Sequence, residues 1–234
     1  MRKSKVVHTV AILAASAGIL LAPCNPALAA NASCGHEHID IQHNFTSGNL
    51  NAWQMPHADD WEILTEANTH YLHMKRARPP ELPRHPIQFA RLKNIKVGSF
   101  TLDVDVRRIG GSMAIEFNYQ DPVHFYYTHL SDVPGTKISV HNGIFIVDGA
   151  ARRRIAGMTA APALPDQKWH HVRIVRNVRT GSIKVYMDHE KTSRFSIVNH
   201  AFTCGQVGIG SFDDTGDYAH FHLVSNDAEG AATK

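Results

Sequence analysis

The sequence is poor in cysteine, in long apolar runs and in runs of one charge, and each scarcity narrows what the chain can be. One apolar stretch, Val6 to Leu21, follows the basic start Met1-Arg2-Lys3-Ser4-Lys5, and Ala27-Leu28-Ala29 supplies a small-residue cleavage pattern. Together they read as a secretory signal peptide over residues 1–29, of a bacterial Sec type, so a secreted or periplasmic protein is expected. The stretch is a little short for a spanning helix and is broken by His8 and Ser16. No second span follows, so no membrane partner is expected after the leader is removed. A lipobox reading of Leu21-Ala22-Pro23-Cys24 is disfavoured by the proline before the cysteine.

Of the three cysteines, Cys24 leaves with the leader. Cys34 and Cys204 remain, an even count in an oxidising compartment, which points to one disulfide; two separate buried thiols are the alternative. The formal charge of +3 falls to zero when the basic residues Arg2, Lys3 and Lys5 are lost. Apart from Arg152-Arg153-Arg154 no basic run is left, which argues against a nucleic-acid partner. The run itself reads as a solvated edge, with recognition of acidic sugars as the sharper alternative.

A long 3.6-residue apolar period is also missing, and period two takes its place. Phe100, Leu102, Val104 and Val106 form one apolar face against Thr101, Asp103, Asp105 and Arg107. Met113, Ile115, Phe117 and Tyr119 do the same against Glu116, Asn118 and Gln120, with the turn pair Gly110-Gly111 between the two strands. Further strands are expected at His124–Leu130, Ile144–Val147, Val207–Gly210 and Tyr218–Val224. The clearest signal is Trp169 to Asp188, two alternating strands joined around Arg179-Thr180-Gly181. The proline-rich Arg78–Pro86 reads as a surface loop. Many short strands at turn-marked spacing predict an all-β, antiparallel two-sheet jelly-roll sandwich. Its expected limits are 39–224, after a flexible start at 30–38 and before a disordered tail at 225–234.

Phe45-Thr-Ser-Gly-Asn-Leu-Asn-Ala-Trp53, Tyr119-Gln-Asp-Pro122 with Phe125-Tyr126-Tyr127, and Gly210-Ser-Phe-Asp-Asp-Thr-Gly-Asp217 resemble the secreted concanavalin-type, laminin-G-like domains. Ala52 stands where a glycine is usual in that group. The resemblance covers about residues 40–224 and implies a scaffold on which carbohydrate is commonly handled, including domains similar to the 3-keto-disaccharide hydrolases. Scaffold and chemistry separate readily, so the resemblance implies no particular activity.

On such a scaffold the concave sheet face would carry the ligand, with aromatic rings under sugar faces and polar groups on the hydroxyls. Glu116, Asn118, Tyr127, His129, His141, Asn142 and Arg173 are the candidate ligand-binding residues; the bland alternative is a solvated sheet face. Catalytic roles fall to Glu116 or His129. The Glu-x-Asp-x-x-Glu-like run of related glucanases is missing, and Glu116 is followed by Asn118 where a second acid would stand. A lyase would use His129 or His141 with Tyr127, and Arg173 or Asn118 to neutralise a uronate. Asp213, Asp214 and Asp217 are candidate calcium ligands, or simply a self-capping turn; no cofactor is required. His36-x-His38 and His220-x-His222 would grip a metal only if the chain ends meet. Trp53, Trp61 and Trp169 read as anchors of core or sheet edge. The expected function is binding of a polysaccharide or oligosaccharide, with a polysaccharide-degrading hydrolase or lyase, or an adhesion module without a sugar ligand, as alternatives.

Overall fold

The computed structural model describes Cys34 and residues 38–226. The expected leader, most of the expected flexible start, His36 and residues 227–234 of the expected tail lie outside the described residues. The strands in chain order are β1 (His38–His43), β2 (Trp53–Gln54), β3 (Trp61–Glu66), β4 (Thr69–Met74), β5 (Gln88–Leu92), β6 (Phe100–Arg108), β7 (Ser112–Asp121) and β8 (His124–Ser131). They continue with β9 (Gly143–Asp148), β10 (Arg153–Ala156), β11 (His170–Asn177), β12 (Ser182–Met187), β13 (Phe195–Val198), β14 (Gln206–Ser211) and β15 (Gly216–Asn226). A single 3-10 turn, Ala58–Asp60, is the only helical element among the described residues.

The strands form the expected sandwich of two antiparallel sheets. The larger is eight-stranded, ordered β13-β12-β11-β6-β15-β4-β3 with β1 also on β15; the smaller is seven-stranded, ordered β10-β9-β8-β7-β14-β5-β2. Alternation builds the interior. Leu102, Val104, Val172, Ile174, Ile183 and Val185 point inward from the larger sheet, and Met113, Ile115, Tyr126, Ile144, Val207 and Ile209 meet them from the smaller. Each such aliphatic side chain contributes roughly 1.5–3 kcal/mol by leaving water. Trp53 and Trp61 belong to the same core.

The Trp169–Asp188 hairpin forms as expected, with Asn177 opposite Ser182. Gly181 adopts φ +71° there, where an L side chain would be strained. Two local expectations are corrected. Gly110-Gly111 closes no hairpin, because β6 and β7 lie in different sheets. The pair turns the corner between them, Ile109 and Gly110 donating their amides to Thr215 O, and a Cβ on Gly110 would collide with the Asp214 carboxylate. The second correction concerns β7, whose register shifts after Phe117. Asn118 takes φ +46° at this bulge, so the alternation flips: Asn118 turns toward the interior and Tyr119 toward the outer face.

β1 runs beside β15, His38 facing Asn226, so both ends of the described domain lie side by side and β15 extends past the expected limit at Val224. Nearby, Cys34 and Cys204 are joined by a disulfide across 170 positions of sequence, with Cα atoms 5.5 Å apart. Closing so long a loop restricts the unfolded chain, so replacing both cysteines by serine is expected to lower stability by about 2–4 kcal/mol. Denaturant titration of that variant against the parent reads this directly, and an unchanged midpoint would show that the link is dispensable.

Candidate functional site

The residues expected to line a ligand groove divide between two places. Ala114, Glu116, Tyr127, Phe89, Phe125, Phe145 and Val147 do share the outer face of the smaller sheet, yet all are buried and form a second, mostly apolar cluster. The proline-rich loop is what covers it. His85, only 4 % exposed, stands edge-on to Phe125 at 6.0 Å, and Arg84 O accepts the Arg152 amide at 2.9 Å. The base of this loop is tied down by Arg78, which ion-pairs with Asp60 and donates its amide to Gln88 Oε1 at 2.6 Å.

Beneath the cover, Glu116 accepts from Arg91 at 2.5 and 3.1 Å, and the Arg91 guanidinium lies 3.8 Å from the Tyr119 ring centre. Burial pushes the Glu116 carboxyl up, opposed by Arg91. Glu116 is fully buried and committed to this pair. Asn118 is committed as well, donating to Val97 O at 2.9 Å and accepting from Arg176 Nε at 3.1 Å. Asn142 holds a loop, donating to Ala161 O at 2.7 Å and accepting the Ala163 amide at 3.0 Å. These three side chains therefore serve the sandwich itself in this structure.

Tyr127, His129 and His141 are brought together at one end of the same face. His141 stacks on His129 at 4.9 Å, and Arg152 donates to Tyr127 OH at 3.1 Å and, more weakly, to His129 Nδ1 at 3.4 Å. His129 is buried, whereas His141 and Arg152 are partly exposed. The arrangement has no carboxylate paired to His129 that would make it a general base.

Arg173 lies apart from all of these, on the outer face of the larger sheet, and there the surface is open. His171, Arg173, Val175, Tyr186, His189 and Glu190 line a cleft of about 290 Å³. The register explains its floor. β11 pairs with β6 so that His171 faces Asp105 and Arg173 faces Asp103. Arg173 donates to both oxygens of Asp103 at 2.7 and 3.2 Å, and His171 bonds Asp105 at 2.9 Å and Asp103 at 2.9 Å. On the far side, His220 sits at a β15 bulge with φ +49° and reaches Asp105 at 2.7 Å. His189 stacks on His171 at 4.3 Å, and Glu190 is held by Arg194. The result is a polar floor fixed by crossed ion pairs, with the Tyr186 ring beside it. Sequence inspection singled out Arg173 and noticed Asp103 and Asp105, but missed His171, Tyr186, His189 and Glu190. Cross-strand register unites them, and only the outward half of the hairpin's alternation hinted at it.

The expected calcium ligands diverge. Asp214 accepts the Gly111 amide at 3.0 Å and the Ser112 hydroxyl at 2.7 Å, capping the inter-sheet corner. Asp217 is buried against Arg107 at 2.6 Å and His73 at 2.7 Å. Asp213 is exposed. Among the described residues no cluster of three metal-ligating side chains forms. His220 and His222 likewise go separate ways, His222 bonding Asp40 at 2.9 Å. Trp169 packs edge-on to Tyr71 at 5.6 Å under Arg107, as a sheet-face anchor.

No protein-family model and no curated protein matches the sequence. Solved structures do match in fold. The carbohydrate-binding module CBM66 from Bacillus subtilis is 16% identical with TM-score 0.51, over 76% of this chain and 98% of that one. A glycoside hydrolase of the GH43 class from Bacillus licheniformis gives 13% and 0.55, over 79% of this chain but 39% of that protein. The exoplasmic/lumenal domain of VIP36, solved with Ca2+ and Man3GlcNAc, gives 11% and 0.50, over 79% and 87%. The fold is thus the concanavalin-like jelly-roll sandwich.

Burial first, and then Arg152, hold the His129 imidazole well below its ordinary 6.5, and burial also lowers His141 and His43. Such a histidine stays neutral in the fold but takes a proton once unfolded. Stability is therefore full above pH 6.5 and is lost as pH falls below it, by up to about 1.4 kcal/mol per pH unit from His129. Thermal unfolding from neutral pH down to about pH 5 is expected to show a falling Tm, with a shallower slope in His129→Gln. Parallel slopes in the two proteins would remove His129 as the source.

Proposed function

We propose that this domain binds carbohydrate without cleaving it, and that the cleft on the outer face of the larger sheet receives the sugar. The observation that carries the reading is the pairing of one aromatic ring, Tyr186, with hydrogen-bonding groups of both signs, Arg173, His189 and Glu190, in one open cleft. Sugar rings present apolar faces that stack on aromatics and hydroxyls that both donate and accept. The Asp103 and Asp105 ion pairs pre-position Arg173 and His171 before any ligand arrives, which reduces the ordering cost of binding. At about 290 Å³ the cleft lies at the small end of ligand sites, which suits a short saccharide or a chain end. Support also comes from the sugar-binding neighbours of the same fold, a carbohydrate-binding module and a glycan-bound lumenal domain. Secretion belongs to the same proposal, supported by the Cys34–Cys204 disulfide.

Cleavage has less to work with. Glu190 at the cleft wall is already paired to Arg194, and Asp103 and Asp105 in its floor are engaged by Arg173, His171 and His220, while glycoside hydrolysis ordinarily needs two available carboxyl groups across the scissile bond. A glycan array combined with a reducing-end release assay separates the possibilities. Binding without release is expected, with Tyr186→Ala and Arg173→Ala each weakening it by about tenfold. Release of reducing ends would establish an enzyme instead. Binding that ignores both substitutions would move the site elsewhere, and silence in both assays would favour an adhesion module.

A further inference from the structure

Most of the described arginines are matched to acceptors, and Arg153 and Arg179 are simply exposed to solvent. Arg78, Arg91, Arg107, Arg173 and Arg194 pair with carboxylates. Arg154 and Arg176 are satisfied largely by main-chain carbonyls, and Arg108 by carbonyls together with Asp132. Arg84 and Arg152 differ. Both guanidiniums lie over the Phe212 ring, at 5.0 and 3.7 Å from its centre, so two cations gather on one aromatic residue. Among the described residues neither makes an ion pair with a carboxylate. Asp213 is near enough to interact electrostatically with both and with His141, but bonds none of them.

Two donors at this place are also unsatisfied. Arg152 Nε is buried and has no partner, and neither has Nε2 of His129, a residue only 1 % exposed. Because His129 Nδ1 accepts from Arg152, the imidazole proton belongs on Nε2, which makes that atom a donor. A buried donor without an acceptor has given up its water without a replacement partner, which is unfavourable. Here two such donors lie beside an excess of positive charge, at the partly exposed rim formed by Arg84, Arg152 and His141. The chemistry that satisfies all of them at once is an oxyanion: it accepts several N–H bonds, and guanidinium geometry matches carboxylate and sulfate.

We propose that Arg84, Arg152, His129 and His141 form a site for the anionic group of an acidic saccharide, the carboxylate of a uronate or a sulfate ester. The site is on the opposite sheet from the Tyr186 cleft. It rests on the carbohydrate reading only for the carrier of the anion, and the oxyanion can be tested without it. Arg152 supplies the buried hydrogen bonds and orients His129, while Arg84 closes the rim. Asp213 limits the net positive charge and so disfavours indiscriminate anion capture.

The test follows the Arg152 Nε–Hε resonance of the isotope-labelled protein during titration with glucuronate, inorganic sulfate and glucose. Glucuronate is expected to shift it saturably, glucose to leave it in place, and added salt to weaken the response. Arg84→Ala is expected to weaken glucuronate about tenfold, the equivalent of one charge-assisted contact. That variant keeps the main-chain carbonyl that Arg152 uses, and its side chain is exposed, so the fold is retained. Arg152→Lys, which keeps the charge but lacks the guanidinium fork, is expected to weaken it as well. A response to sulfate but not to glucuronate would overturn the uronate and assign the site to a sulfate ester. No response to either anion, or equal affinity in Arg84→Ala and the parent, would overturn the site. Tyr186→Ala should leave these titrations unchanged, so loss of the neutral-sugar cleft and loss of the anion site are read apart.

Discussion

An arginine enclosed between two sheets has to find its acceptors there, and Arg176 sets the terms for one end of this sandwich. It is 1 % exposed and no carboxylate answers it. Instead it donates to Asn118 Oδ1, Asn199 O, Ser182 O and Phe202 O, and burial lowers its pKa. A cation held by neutral dipoles remains in place only if all of them are positioned together. Asn118 comes from the smaller sheet and Arg176 from the larger, so this bond ties the two layers. It is available only because β7 bulges at Asn118.

The same bulge shapes the far side of the sheet. By moving Tyr119 outward it supplies the ring on which Arg91 stacks, and Arg91 in turn holds Glu116. With aromatics on either side and the 78–87 loop above, that face becomes a second core. The larger sheet keeps its outer face polar by a different device. Asp103 and Asp105 each serve partners on neighbouring strands, so the charges are satisfied laterally and the side chains remain reachable from solvent. The open cleft therefore lies where ion pairs replaced apolar cover, and the proposed anion site lies where the cover of the smaller sheet ends.

Much of the architecture was legible because alternation is a local property. Phe100–Val106, Val172–Ile174 and Ile183–Met187 each declare an inward face within a few residues, and Arg179-Thr180-Gly181 marks its own turn. The candidate site was less legible. Glu116 and Asn118 look equivalent on a strict period of two, and one inserted residue separates their fates. Asn142 reads as a polar turn residue, yet its amide is spent on the Ala161 carbonyl and the Ala163 amide. The prolines of 78–86 announce a loop but not what it lies upon. Arg173 was identified, while its neighbours Tyr186 and Glu190 were not, because nothing local shows which outward residues of a hairpin border a cleft.

By itself, then, the sequence determined that this chain is an all-β sandwich with a hydrophobic interior, since burial of alternate residues is decided strand by strand. It also left Cys34 and Cys204 as the two cysteines outside the expected leader, and the structure joins them. Which outer face would be open was decided only by tertiary structure. That outcome depends on a bulge, on cross-strand register and on where an insertion folds back, all of which join residues distant in sequence. The unmatched pair Arg84 and Arg152 is of the same kind, because a guanidinium is recognised as lacking a carboxylate only after every neighbour has been placed.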